Sequence, residues 1–223
     1  HAFASDAFVC TIEAGARGRV ATCGGAVEDR TPIAGVEAPT ALATLGDQLC
    51  AIDRRAQVVC SPLAARYSAR ESAPSVIAGV QNARSIAAMS SSRQATMCAA
   101  LESGRVLCWD GVTTQPSREE YVATPVADVG LTDVAALVGT FDWFCSLDRA
   151  GAVACWTPDS GRAAPEPGPI IDAEVVQLAA GRYHACALDR SGAVTCWGDE
   201  SHGQLGRVPT SVSLQPKPLV FAP

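Results

Sequence analysis

Ten cysteines are the residues of this sequence whose type and spacing most clearly predict chemistry. They fall into five pairs along the chain: Cys10/Cys23, Cys50/Cys60, Cys98/Cys108, Cys145/Cys155 and Cys186/Cys196. An even number of cysteines in a regular pattern is typical of disulfides. Zinc sites use closer cysteine spacing and usually add histidine, and the chain has only 3 histidines. We therefore expect five disulfides, an oxidising compartment, and no metal or cofactor; free core cysteines are the remaining alternative.

Three aspartates could do a second kind of chemistry. Asp6, Asp47 and Asp142 each lie shortly before the first cysteine of a pair, so they could converge on one opening. Glycosidases need two carboxylates about 5–9.5 Å apart, one of them with a raised pKa. The chain is poor in the tryptophans that usually line sugar clefts, and it has no G-x-S-x-G motif for nucleophilic catalysis. A glycan-binding or glycan-cleaving protein is therefore the alternative, not the main hypothesis.

The cysteine pairs belong to an internal repeat. Four pairs lie in similar segments, in which a valine comes two residues before the second cysteine. The segments are CAIDRRAQVVC, CAALESGRVLC, CSLDRAGAVAC and CALDRSGAVTC. The residues after the last pair and before the first pair together make about one further repeat. A solenoid needs capping repeats at both ends, whereas a ring does not. The pattern therefore favours five repeats arranged in a circle within a single domain, residues 1–223.

The sequence pattern predicts four short antiparallel strands in each repeat. In the last repeat these are VVQLAA (175–180), HACALD (184–189), AVTCWG (193–198) and a strand that starts at a proline (Pro218). Four strands per repeat, five times over, predict an all-β fold, a five-bladed β-propeller. The terminal KPLVFA (217–222) should share a blade with the N-terminal strand and close the ring.

Hairpin geometry predicts how the cysteines pair. With a three-residue loop, Cys186 lies directly opposite Cys196, close enough for a disulfide. Each such bond should contribute about 2–3 kcal/mol, depending on the model used. Cys10 and Cys23 are three residues further apart, so direct opposition is a weaker expectation for that pair.

The run AAGRYHACALDRSGAVTCWGDESHGQLGR (179–207) resembles a repeat of the regulator-of-chromosome-condensation family, in its cysteine-containing bacterial form. The resemblance is strongest over 175–207 and weak in the first two repeats, where Gly24 and Ser61 replace the tryptophan. It implies a propeller, commonly of seven blades, and a structural histidine at His184. Trp109, Trp156 and Trp197 should then be core residues between blades. Propellers host many functions, so the nucleotide exchange activity of the eukaryotic founder is not carried over.

The loops before the first cysteines differ in every repeat and are the predicted binding site. They read ASDAF, TLGDQ, SSRQAT, GTFDW and GRYH. Loop positions that a repeat fold leaves free are available for binding, and aromatic residues and arginine are the usual anchors of protein interfaces. The candidates are Asp6, Asp47, Arg93, Gln94, Phe141, Asp142, Trp143, Arg182 and Tyr183. For Phe8, Trp143 and Tyr183, packing between blades is the competing interpretation.

Composition excludes several classes of partner. The net charge of −6 provides no basic field for nucleic acid, and no apolar run is long enough to span a membrane. The chain opens without methionine, so we expect a processed mature chain or a start set by cloning. The prediction is a secreted or periplasmic, non-catalytic scaffold that binds a protein partner, in a cell envelope or extracellular assembly.

Overall fold

In the computed structural model, the described residues form antiparallel β-sheets. These residues are 2–4, 9–15, 18–24, 31–32, 36–45, 48–62, 74–90, 95–110, 126–157, 171, 174–206 and 213–218. Within them every regular element is a strand, and no helix suited to crossing a membrane occurs. The all-β prediction is confirmed.

In the described part of the chain, nineteen strands make five sheets, and in each sheet neighbouring strands follow one another in the sequence. Sheet 1 contains β1 (Ala2–Ala4), β2 (Val9–Gly15), β3 (Gly18–Gly24) and β4 (Thr31–Pro32). Sheet 2 contains β5 (Ala41–Leu45), β6 (Gln48–Ile52), β7 (Val58–Pro62) and β8 (Ser75–Val76). Sheet 3 contains β9 (Ala83–Ser90), β10 (Ala95–Leu101), β11 (Val106–Asp110) and β12 (Ala127–Asp128). Sheet 4 contains β13 (Val134–Gly139), β14 (Phe144–Asp148) and β15 (Val153–Trp156). Sheet 5 contains β16 (Val175–Ala180), β17 (His184–Asp189), β18 (Val194–Gly198) and β19 (Ser213–Pro218).

The second and third strands of each sheet form the predicted cysteine hairpin. Four disulfides join directly opposed residues whose Cα atoms are 4.0–4.1 Å apart: Cys50–Cys60, Cys98–Cys108, Cys145–Cys155 and Cys186–Cys196. Cys10 is also disulfide-bonded, and Cys23 is its Cα partner in the sheet. The longer β2 and β3 take up the extra residues of that hairpin, so the opposed register is kept.

The hairpin loops are closed by an aspartate where the repeat provides one. Asp189 Oδ1 accepts hydrogen bonds from the backbone N–H groups of Ser191 and Ala193, at 2.8 and 2.9 Å. Asp53 Oδ1 does the same in sheet 2, and Asp148 Oδ1 accepts the Ala152 N–H at 2.8 Å in sheet 4. Gly192 has a φ of 89° in this loop, a conformation that glycine adopts without steric cost.

Consecutive sheets pack through their first strands: β5 against β1, β9 against β5, β13 against β9 and β16 against β13. A backbone hydrogen bond repeats at these junctions, in which the first strand donates to the hairpin loop of the preceding sheet. The three bonds are Ala83 N to Ala56 O (2.9 Å), Val134 N to Gly104 O (3.0 Å) and Val175 N to Gly151 O (3.1 Å). We call this bond the junction bond. Trp109, Trp156 and Trp197 are buried between sheets, as predicted.

The fourth strand of the last repeat differs from the prediction. The predicted strand starts at Pro218, whereas β19 ends there, and residues 219–223 lie outside the described part of the chain. β19 is an edge strand, where a missing N–H costs no ladder hydrogen bond, so proline does not mark its start. The predicted shared blade is not confirmed either, because β1 pairs with β2 in sheet 1 and β19 pairs with β18 in sheet 5.

Candidate functional site

The five variable loops all connect the first strand of a sheet to its second strand. They therefore occupy equivalent places in the five sheets. The structure describes two of them in full, residues 140–143 between β13 and β14 and residues 181–183 between β16 and β17. Asp6, Asp47, Arg93 and Gln94 lie outside the described residues, as does Phe8. Five of the nine predicted binding residues can therefore be placed.

Thr140 holds the first of these loops in one conformation. Its buried hydroxyl accepts the N–H groups of Asp142 and Trp143, at 3.3 and 3.1 Å, and donates to the Trp143 carbonyl at 3.0 Å. The Thr140 N–H also donates to the Trp143 carbonyl, at 2.8 Å. These bonds close a tight turn, so the loop enters any binding reaction already ordered.

Gly181 and His184 hold the second loop. The Gly181 N–H donates to the His184 carbonyl at 2.8 Å, and a Cβ added at Gly181 would overlap the His184 ring. The Asp199 N–H donates to the Tyr183 carbonyl at 2.8 Å and ties the loop to the end of β18. Desolvation lowers the pKa of His184, and the charge of Asp199 partly opposes that shift. These contacts give His184 a structural position, in agreement with the resemblance.

Side chains from the two loops meet in one cluster. The Arg182 guanidinium lies 5.3 Å from the ring centroids of both Phe141 and Tyr183, within cation–π range. The two rings pack edge to face, with centroids 5.2 Å apart. The Phe141 N–H donates to the Arg182 carbonyl at 2.6 Å, so backbone and side chains both join sheets 4 and 5. We call Phe141, Arg182 and Tyr183 the aromatic cluster.

Exposure separates the remaining predicted residues. Arg182 and Asp142 are exposed, whereas Phe141, Tyr183 and Trp143 are half-buried. Trp143 packs against the core between sheets 4 and 5, so the packing interpretation applies to part of its surface. The aromatic cluster is therefore the part of the predicted site that the fold assembles from two repeats. Arginine and aromatic residues are the usual anchors of protein interfaces.

Neither Thr140 nor Gly181 is among the predicted binding residues, although both shape these loops. Threonine and glycine at the start of a short loop are recognised turn signals. The overlap at position 181 depends on how the His184 ring lies, which the sequence does not show. For the alternative based on three aspartates, the structure places only Asp142. Among the described residues no group of three potential metal ligands occurs.

Comparison with known proteins identifies the repeat. Residues 175–204 match the model of the regulator of chromosome condensation (RCC1) repeat. No curated protein matches the sequence.

Solved structures show the fold. Prp20p from Saccharomyces cerevisiae matches 99% of this chain and 63% of its own, at 13% identity and a TM-score of 0.66. Human WBSCR16 matches 96% of this chain and 65% of its own, at 12% identity and a TM-score of 0.66. The CRINKLY WD40 ectodomain of the Arabidopsis thaliana receptor kinase ACR4 matches 96% of this chain and 67% of its own, at 20% identity and a TM-score of 0.54.

This chain spans less than two thirds of the length of Prp20p and of WBSCR16. Identities this low show the fold alone. Residues 175–204 are therefore an RCC1 repeat, and the chain has the fold of the RCC1-type β-propellers.

Proposed function

We propose that this chain is a non-catalytic protein-binding scaffold, a single domain of five propeller blades that binds its partner through the loops between first and second strands. The aromatic cluster carries the proposal. It combines two rings and one exposed guanidinium at the junction of two blades, on loops that are closed by their own hydrogen bonds. Aromatic residues and arginine dominate the binding energy of protein interfaces.

Protein binding by a propeller of this fold has a precedent among the solved structures. The study of Prp20p concerns its binding to Gsp1p and histones. The acidic charge of the present chain argues against nucleic acid as its own partner, and the proposed oxidising compartment argues against histones. Its partner is therefore a different protein.

The proposed compartment is extracellular or periplasmic, as part of a bacterial envelope or secreted assembly. Disulfides persist in oxidising compartments and are rare in the cytosol. Five hairpins that each carry a cysteine pair are consistent with that location. The fold is also that of an ectodomain, in the receptor kinase ACR4.

Affinity capture from envelope and secreted fractions tests the proposal. The wild-type chain is compared with the double variant Phe141→Ala/Arg182→Ala, and Arg105→Ala is the control because Arg105 is an exposed arginine paired with Asp128 away from these loops. Loss of one interface anchor costs about 2 kcal/mol, roughly thirtyfold in Kd. We expect the wild type and Arg105→Ala to retain one partner that the double variant loses.

Two results would contradict this proposal. A partner held equally by all three proteins would place the binding surface elsewhere on the molecule. Failure of the wild-type chain to retain any protein, with the fold intact by circular dichroism, would remove the scaffold function itself.

A further inference from the structure

Asp142 differs from the other aspartates in the described part of the chain, because its carboxylate makes no hydrogen bond or ion pair with any described residue. In the others the carboxylate caps a hairpin loop, pairs with an arginine or accepts a hydroxyl group. They are Asp53, Asp110, Asp128, Asp133, Asp148, Asp189 and Asp199. Within the described residues, the fold therefore does not use the Asp142 carboxylate.

The loop nevertheless holds Asp142 in one place. Its N–H donates to the buried Thr140 hydroxyl at 3.3 Å. On one side, the Phe141 N–H donates to the Arg182 carbonyl at 2.6 Å, and on the other side Trp143 packs against the core between sheets 4 and 5. An exposed charge on an ordered loop loses little conformational entropy when a partner binds to it.

The two ends of the sheets differ in how their charges are compensated. Because the strands are antiparallel, the variable loops lie at one end, the loop end, and the cysteine hairpins turn at the other, the hairpin end. At the hairpin end arginines pair with carboxylates, as in Arg54–Glu37 at 2.7 Å and Arg149–Asp133 at 3.0 Å. In the two variable loops that the structure describes, Arg182 is the one cation.

The loop end carries further negative charge on the strands beside these loops. Asp110 ends β11 opposite Thr96, and Asp199 directly follows β18, with its N–H on the Tyr183 carbonyl. Hydrogen bonds from the backbone and side chain of Ser201 lower the pKa of Asp199, so this carboxylate stays ionised at neutral pH. Together with Asp142, these groups give the loop end of sheets 3 to 5 a negative potential.

A negative surface with aromatic rings beside it favours a cationic side chain of the partner. Guanidinium groups both pair with carboxylates and stack on aromatic rings. We propose that the partner presents an arginine-containing segment to the loop end, with the guanidinium on the Asp142 carboxylate and beside the half-buried rings of Phe141 and Trp143. This assignment rests on the proposed function, because it names the chemistry of the partner that the loop site binds. Charge complementarity of this kind sets partner choice and association rate.

Binding of the intact chain to an array of immobilised peptides tests the assignment. The peptides come in matched sets that differ at one position beside an aromatic residue, which is arginine, glutamine or glutamate. We expect the wild type to bind the arginine peptides about fivefold more tightly than the glutamine peptides. Asp142→Asn should remove this preference, and Asp142→Lys should change it to glutamate. Glu102→Gln is the matched control, because Glu102 is an exposed carboxylate in the hairpin loop of sheet 3, and it should keep the arginine preference.

The Asp142 variants should fold as the wild type does, since the loop is closed by the Asp142 N–H and not by its carboxylate. Thermal unfolding followed by circular dichroism checks this. An arginine preference that survives Asp142→Asn overturns the assignment. Equal binding of all members of a set, lost in Phe141→Ala/Arg182→Ala, overturns the assignment and supports the proposed function. A wild-type chain that retains no peptide also overturns the assignment, and affinity capture then decides the proposed function on its own.

Discussion

His184 links the second variable loop to the sheet beneath it. Its carbonyl accepts the Gly181 N–H, its ring fills the space that a side chain at position 181 would need, and it is half-buried. Desolvation lowers the pKa of the ring below its usual 6.5, while the Asp199 charge raises it to a smaller extent. Protonation of His184 therefore disfavours the folded state.

This environment predicts a pH-dependent stability. Between the folded pKa and about 6.5 the unfolded chain binds more protons than the folded protein, so the stabilisation is present above about 6.5 and is lost as the pH falls below it. Urea unfolding between pH 7.5 and 5.5 should show a falling free energy of unfolding, and His184→Gln should flatten that slope. His202→Gln is the control, because His202 is exposed, and it should keep the slope. An unchanged slope in His184→Gln would contradict the prediction.

At the scale of elements, the junction between sheets 3 and 4 shows how closely neighbouring first strands approach. The Leu137 N–H donates to Ser85 Oγ at 3.0 Å across the junction. A Cβ added at Gly139 would overlap the Ala88 carbonyl, which belongs to the backbone and cannot move aside as a side chain can. The alanine and glycine content of these strands is therefore a packing requirement between blades.

Gly139→Ala should consequently destabilise the protein by about 1–3 kcal/mol, the range for overpacking a close contact. The equivalent position in sheet 5 is Ala180, which is exposed. Ala180→Val should change the free energy of unfolding by less than about 0.5 kcal/mol. Chemical denaturation of both variants measures the difference. Equal destabilisation by Gly139→Ala and Ala180→Val would contradict this prediction.

At the scale of the whole molecule, the disulfides are the common feature of the blades. The four disulfides from Cys50–Cys60 to Cys186–Cys196 join residues 10 apart in the sequence, and each stabilises the folded state by limiting the unfolded chain. The bonds lie within blades, not between them, so they strengthen each hairpin and leave the junctions to apolar packing and to the junction bonds.

Protein prepared in an oxidising compartment should therefore show no titratable thiol when unfolded without reductant, and 10 thiols after reduction. Reduction should lower the free energy of unfolding, by about 2–3 kcal/mol for each bond that is opened. Thiol titration and chemical unfolding measure both quantities. Stable folding of the chain with its cysteines reduced would argue against an oxidising compartment.

Much of the fold could be predicted because it depends on short sequence patterns that recur in every repeat. The cysteine spacing and the hairpin loops determine strand register, and the observed bounds of β16 and β17 agree with the predicted strands. The fourth strands were predicted less well, since an edge strand has one hydrogen-bonded neighbour and tolerates proline at several positions. The predicted binding residues include Phe141, Arg182 and Tyr183 but not Thr140 or Gly181, which shape the loops.

The sequence by itself determined the repeat, the opposed cysteines and the buried tryptophans, because each depends on residues close together in the chain or on one alternating pattern. Only the tertiary structure decided that Phe141 and Arg182 meet, since they lie in different repeats and come together through the packing of β16 on β13. It also decided that Val58, Val106 and Val153 are buried whereas Val194 is only half-buried. Four identical residues in one repeat position differ in exposure because burial depends on the neighbouring blade, which the residue's own repeat does not encode.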